Sequence, residues 1–304
     1  MLRKSLLALV AALTVASCGG SSSGSASGRP IIAVTTNILG DVVRQVIGDL
    51  AQVDVVMPPG ASPHEFQASA QQIAALREAD ALVVNGAGFE EGLLDAVAAA
   101  TKDGVPTFEA ISSVDALPLP GAATGDAVDP HFFTDPHRMA VAVTALGEFL
   151  VTAVPALPAD QVRAHAAAYA ASLDSLDADI AAMVATLPAA RRKLVTNHEV
   201  FSYFADRYGF EVIGAIIPGG GTAAETDAQA ISRLAATITS AGVPAIFADT
   251  SSPTKLADAL AGEAGGVKVV ELYSESLGKP GTPGGTYVDL LRTDAQRITD
   301  ALRG

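Results

Sequence analysis

The chain holds five histidines, His64, His131, His137, His165 and His198, each an imidazole able to carry a proton or bind a transition metal. Three of them stand where chemistry tends to collect. His64 follows the turn Pro58-Pro59-Gly60-Ala61-Ser62-Pro63, which closes a strand-like run at residues 53–57. His198 comes directly after the β-rich run Lys193–Thr196 and opens the next helix. His131 lies in Asp129-Pro130-His131-Phe132-Phe133-Thr134-Asp135-Pro136, a loop stiffened by prolines and flanked by aromatic rings. A lone loop histidine is ordinarily a surface or capping residue. Three at strand ends or in a stiff loop point to one shared site, provided that they converge in space. His165 sits between alanines off the apolar stripe of a helical stretch, so it is expected in solvent. His137 follows Asp135-Pro136 and reads as a first-turn helix residue. Neither joins the site.

The elements that must position these side chains alternate between strand and helix. Residues 31–34 form a β-rich run, and Asn37 is read as the cap of a helix carrying Ile38, Val42, Val43, Val46 and Ile47. A strand at 53–57, a helix at 69–77, a strand at 81–84, a helix at 91–100, a strand at 105–108 and a helix at 139–154 follow. Then Val162, Ala166, Tyr169, Leu173, Leu176, Ile180 and Met183 recur at threes and fours within residues 159–187. A helix of that length extends about 44 Å, which suits a stiff connector between two bodies. Beyond it the pattern restarts, with strands at 193–196, 211–213, 245–248 and 267–270 and helices at 200–208, 227–241, 254–261 and 286–302.

The expected class is therefore α/β: two lobes, each a parallel sheet flanked by helices, joined by one long linker helix. The boundaries are read as an N-terminal lobe at 30–157, a linker helix at 158–187 and a C-terminal lobe at 188–304. In open sheets of this kind ligands gather outside the carboxyl ends of the strands. His64 and His198, one from each lobe, would then face a common cleft.

Composition narrows the partners. Thirty-three acidic residues against 19 basic ones give a formal charge of −14, which disfavours nucleic acid and favours a cation. The densest basic run is only Arg191-Arg192-Lys193. A single cysteine excludes disulfides and multi-cysteine metal sites within one chain. That cysteine, Cys18, ends an apolar stretch that begins after Arg3-Lys4 and closes in Val15-Ala16-Ser17. The pattern is that of an export signal and resembles a bacterial lipobox, in which the thiol is acylated. Residues 1–17 are thus read as a signal peptide and 18–29, rich in Gly and Ser, as a flexible tether. The expected location is extracytoplasmic, lipid-anchored to the cell membrane through Cys18.

Enzyme motifs are present in letters only. His64-Glu65 and His198-Glu199 begin like the zinc-protease helix motif, but position i+4 is Ala68 or Ser202 instead of a second histidine. Glu65 and Glu199 are read instead as carboxylates at the positive ends of helices. Gly20-Ser21-Ser22-Ser23-Gly24 imitates a nucleophile elbow inside the tether. Gly219-Gly220-Gly221 lacks the lysine of a phosphate loop and reads as a turn.

Four blocks in order resemble the zinc/manganese solute-binding lipoproteins of bacterial ABC importers. They are Ser62-Pro63-His64-Glu65-Phe66, the 129–136 loop, Val195-Thr196-Asn197-His198-Glu199-Val200-Phe201-Ser202-Tyr203-Phe204-Ala205, and Leu272-Tyr273-Ser274-Glu275-Ser276-Leu277-Gly278 followed by Gly285-Thr286-Tyr287. The resemblance spans the body of the chain. It implies a metal held between two lobes by His64, His131, His198 and Glu275, with no catalysis. Family members commonly carry Asp at the last position, so Glu275 is a departure. Asp249, in a further family-like block that usually carries Glu, is the competing ligand or an acceptor that orients a histidine.

Three neutral imidazoles and one carboxylate suit tetrahedral Zn²⁺, with Mn²⁺ as the alternative cargo. No histidine lies in residues 117–128, so the His-rich collecting loop of many zinc importers is not expected. The implied partners are the metal ion, an ABC transporter permease and, through the lipid anchor, the membrane, with the protein acting as a monomer. A surface-tethered zinc-dependent hydrolase is the alternative reading.

Overall fold

The computed structural model describes residues 28–121, 127–217 and 227–303. The expected signal peptide, Cys18, most of the tether, the Gly20–Gly24 stretch, residues 122–126 of the loop and Gly219-Gly220-Gly221 lie outside the described residues.

Two four-stranded sheets carry the architecture, and every pair of neighbouring strands is parallel. The first is ordered β2(Gln52–Val55), β1(Ile31–Val34), β3(Ala81–Val84), β4(Thr107–Glu109). The second is ordered β6(Glu211–Ala215), β5(Lys193–Thr196), β7(Ala245–Asp249), β8(Lys268–Leu272). Central strands such as β3 and β7 are buried along their whole length, which is why they read as unbroken apolar runs instead of alternating ones. In both sheets the connection reverses direction beside the first strand, between β1 and β3 and between β5 and β7. That reversal leaves a crevice at the carboxyl ends of the strands.

Helices α1(Asn37–Ile47), α2(Ala70–Glu78), α3(Leu94–Lys102) and α4(Pro136–Ala153) belong to the first lobe. In the second lobe lie α6(Ser202–Tyr208), α7(Ala228–Ala241), α8(Lys255–Glu263) and α9(Tyr287–Arg303). Their starts follow local chemistry. Ser69 and Gln72 form a capping box on α2, Asp135 caps α4 ahead of Pro136, and Asp227 caps α7. Gly209 and Gly242 end α6 and α7 in the left-handed conformation.

Between the lobes runs α5(Ala159–Ala185), two residues shorter than the periodicity suggests because at Thr186 and Leu187 the backbone bonds tighten onto the Met183 and Val184 carbonyls, ahead of Pro188. Its buried stripe is Val162, Ala166, Tyr169, Leu173, Leu176, Ile180 and Val184; Met183 packs only partly against it. Each large apolar side chain buried here contributes about 1.5–3 kcal/mol over exposure. The stripe meets α4 and α1 on one side and α9 on the other, so one continuous apolar cluster runs from Ile32 through α5 to Leu302. A shared core of this kind permits small adjustments of the lobes and resists wide opening.

Several boundaries differ from expectation for local reasons. Thr36, not Asn37, caps α1: its side chain accepts from Leu39 N–H, which frees the Asn37 amide for other work. Extended pairing of β2 continues through Val56 and Met57 to Val34 and Thr35 until Pro58 and Pro59 end it. Residues 91–93 form a tight 3-10 turn before α3, and α6 begins only at Ser202. His198 therefore lies in a turn ahead of α6 and does not open it. Glu65 and Glu199 likewise sit in turns several residues before α2 and α6, so neither is a helix-start carboxylate.

Candidate metal centre

Three strand ends and one loop feed the crevice. The chain leaving β2 turns at Pro58 and brings in His64; the loop before α4 brings His131; β5 delivers His198; β8 delivers Glu275. All four side chains are buried. The Nε2 atoms of His64, His131 and His198 lie 2.8, 3.1 and 3.0 Å from a single atom, Glu275 Oε1. Among the described residues this is the group of His and carboxylate side chains whose ligand atoms all lie within 4.8 Å of one another. A tetrahedron with metal–donor bonds of 2.0–2.1 Å has edges of about 3.3 Å, so a small outward shift of the carboxylate makes room for one ion. The other carboxylate oxygen, Glu275 Oε2, is buried with no hydrogen-bond partner among the described residues. Three rings thus crowd one carboxylate oxygen while the other is left without a partner, an arrangement that a cation among the donors would complete.

The rings are held differently on their far sides. His131 Nδ1 lies 2.7 Å from Asp129 Oδ1, which also accepts the His131 backbone N–H at 3.0 Å. Asp129 is itself fully buried. Tyr203, from α6 of the second lobe, donates its hydroxyl to the Asp129 carbonyl at 2.7 Å and accepts Leu117 N–H at 3.0 Å. His64 Nδ1 lies 3.1 Å from Glu91 Oε1. A carboxylate can only accept here, so both Nδ1 atoms carry a proton, which leaves Nε2 of each ring as the nitrogen that could bind a metal once its own proton leaves. His198 Nδ1 has no such partner among the described residues.

Charge follows from this packing. Burial pulls the His131 imidazole down, but the hydrogen bonds and charges of Asp129 and Glu275 outweigh it and hold the pKa up at about 9. Burial likewise opposes protonation of His64, and Glu275 overrides it, so that imidazole is also raised. Burial would push the Glu275 carboxyl up, yet the three histidines hold it well below the usual carboxylate range. Without metal the centre thus stores protons around one anion. A metal ion held by these nitrogens would displace those protons.

Phe89 forms part of the wall. Its ring meets His64 edge-on at 5.5 Å and His131 at 5.6 Å between centroids. The loop bearing it is fixed by Glu90, whose buried carboxylate accepts from Thr35 Oγ1, Asn85 N–H and Gly86 N–H. Phe89, Glu90 and Glu91 escape the sequence reading. The available signal was their place just past the carboxyl end of β3, beside the reversal point of the first sheet.

Asp249 does not reach the histidines. Oδ1 accepts from Ser251 N–H and Oγ, and Oδ2 accepts from Ser274 Oγ, so the carboxylate braces the residue beside Glu275. His137 is away from the centre, with Nδ1 2.9 Å from Asp174 Oδ1 on α5. His165 is exposed and lies over the end of α1 near Gly48.

Among the described residues, no helix is long and apolar enough to cross a membrane. The family described as "Zinc-uptake complex component A periplasmic" matches residues 32–301. The chain is 31% identical to the zinc-binding protein TroA of Treponema pallidum, over 99% of each chain. It is 30% identical to the manganese-binding lipoprotein MntA of Halalkalibacterium halodurans, covering 98% of this chain and 97% of that protein. The solved structure of the periplasmic zinc-binding protein TroA from Treponema pallidum superimposes with a TM-score of 0.84 at 30% identity, covering 90% of this chain and 99% of the other. With its blocks in order, its two parallel-sheet lobes and these relatives along nearly its whole length, the chain belongs to the zinc-uptake complex component A family.

Proposed function

We propose that this protein is an extracytoplasmic receptor that captures Zn²⁺ between its lobes and passes it to the permease of an ABC importer. His64, His131, His198 and Glu275 are the ligands, and Mn²⁺ is the alternative cargo. The observation that carries the reading is the convergence of three buried Nε2 atoms on one oxygen of Glu275. A set of three nitrogens and one oxygen matches the tetrahedral preference of zinc, whereas manganese favours more oxygen donors. Relatives named for zinc and for manganese support cargo of this class.

Four protein donors leave no open position for an activated water, which argues for carriage over hydrolysis. We assign the N-terminal lobe to residues 30–157, the linker helix to 158–187 and the C-terminal lobe to 188–304. His64 and His131 then come from one lobe and His198 and Glu275 from the other, so a slight parting of the lobes splits the ligand set and releases the ion. Cys18 is the anchoring residue, in keeping with the lipoprotein name of the MntA relative.

Elemental analysis of protein purified without chelator, followed by competition between Zn²⁺ and Mn²⁺, tests the reading. Stoichiometric zinc that manganese fails to displace is expected. Absence of both metals, with no uptake on titration, would overturn it.

A further inference from the structure

The partners of the three histidines differ in exposure. Asp129, behind His131, is fully buried, while Glu91, behind His64, keeps 45% of its side chain in solvent. The His64 side chain itself is buried, 2% exposed against 0–1% for the other three proposed ligands, so solvent approaches it by way of Glu91. The solvent side of the centre is therefore the side on which Glu91 backs His64, and that ring has one carboxylate on each nitrogen: Glu275 on Nε2 at 2.8 Å and Glu91 on Nδ1 at 3.1 Å.

The backbone under Glu91 is built to hold that distance. Its neighbour Glu90 is anchored by Thr35, Asn85 and Gly86, and Leu93 N–H donates to the Glu90 carbonyl at 2.8 Å. On the other side Gly92 packs so closely on the Phe66 carbonyl that a Cβ there would collide with it. The turn at 91–93 is thus pressed against the turn that carries His64. None of these contacts uses the Glu91 side chain, whose hydrogen bond within the described residues is the one to His64.

We infer that Glu91 is a positioning residue, which keeps the solvent-side ligand His64 aimed at the cargo and thereby sets how fast the ion leaves. The inference rests on the receptor reading above. With Glu91 in place, rotation of the imidazole away from the centre breaks a hydrogen bond on its far side. Without it, the His64 Nδ1 loses the partner that backs it and the cage opens on that side first. His131 needs no such device, because Asp129 and the surrounding core already fix it.

Chelator-driven release of Zn²⁺ from the full-length protein, followed by stopped flow, tests this with Glu91→Ala and Glu91→Gln. Removing a partner of this kind costs about 10–100-fold in affinity, so Glu91→Ala should speed release by about tenfold or more and change the association rate much less. Glu91→Gln keeps an accepting oxygen and should release at close to the wild-type rate. Nitrogen-15 spectra of the zinc form should show the His64 Nδ1–H in wild type and Glu91→Gln, and lose its protection in Glu91→Ala. Melting of the metal-free proteins should be the same in all three.

Wild-type release from Glu91→Ala would overturn the inference. So would equally fast release from Glu91→Gln, which would make charge the operative property, or a fall in metal-free melting that tracks the release rate. If wild-type protein takes up no zinc in the same assay, the receptor reading fails instead.

Discussion

Asn37 donates its side-chain amide to Ser276 Oγ at 2.9 Å, joining the start of α1 to the residue after Glu275 across 239 positions of sequence. The same serine oxygen accepts Gly60 N–H at 2.8 Å, and Leu277 N–H donates to Asn37 Oδ1 at 2.7 Å. Asn37 Nδ2 also reaches the Pro58 carbonyl at 3.0 Å. One amide thus fastens the segment bearing Glu275 to the turn that leads to His64. The proposed ligands His64 and Glu275 are tied to each other through these contacts.

Asn37→Ala should therefore damage both stability and binding. Loss of one side chain that serves several partly buried partners costs about 1–3 kcal/mol. Urea unfolding of the metal-free protein should show that loss, and zinc affinity by calorimetry should fall with it as Glu275 loses its preset position. Unchanged values in both measurements would show that the clamp holds nothing.

The histidines separate cleanly into two groups, and substitution should follow the split. His198→Ala removes a buried donor 3.0 Å from Glu275 Oε1, and zinc affinity should drop by orders of magnitude. His165→Ala, on the exposed face of α5, should bind zinc as the wild type does. Equal losses from the two variants would remove the assignment of the centre.

Much of this is legible in the amino-acid sequence itself. Runs such as the apolar Ala81–Val84 and the β-rich Lys193–Thr196 mark parallel strands, and strand ends point to the crevice, so topology places His64 and His198. The stripe on α5 likewise shows through at threes and fours. What sequence hides is which of two chemically valid jobs a polar residue takes. Asn37 is a good cap by type, but Thr36 reaches the Leu39 N–H first, so the amide is free to cross to the other lobe. Asp249 and Glu275 are both carboxylates at or just past strand ends, and the serines at 251 and 274 are what engage Asp249 away from the histidines. Glu91 carries no periodic signal at all, since its meaning depends on the approach of Gly92 to Phe66.

Acid should discharge the centre. His131 is held at about 9 in the metal-free protein, by Asp129 and Glu275 against the pull of burial, so its Nε2 is protonated at neutral pH. Metal requires that nitrogen neutral, so each ion bound displaces a proton. Apparent zinc affinity should climb with pH through the neutral range, level off only above about 9, and fall steadily as pH drops toward 5.5. Calorimetry in buffers of different ionisation enthalpy should report at least one proton released per zinc at pH 7. Affinity that is flat from pH 5.5 to 8, with no proton release, would contradict ligation by these imidazoles.

A second carboxyl, remote in function, should govern how stability varies with pH. Asp294 on α9 is completely buried, and burial pushes its pKa from 3.8 up to about 8, against the Tyr273 N–H and the Arg297 charge, which lower it. In the unfolded chain the carboxyl ionises near 3.8, so between that value and about 8 the folded state holds a proton that the unfolded state has lost. Stability attributable to this group is complete below pH 3.8 and drains away as pH rises toward 8. Asp294→Asn keeps an oxygen to accept Tyr273 N–H and has no charge to bury. It should match the wild type near pH 4 and melt higher at pH 8, each kcal/mol of gain moving the midpoint by about 2–4 °C. A variant that melts lower than the wild type at pH 8 would mean that the Asp294 carboxylate is ionised and stabilising where it stands.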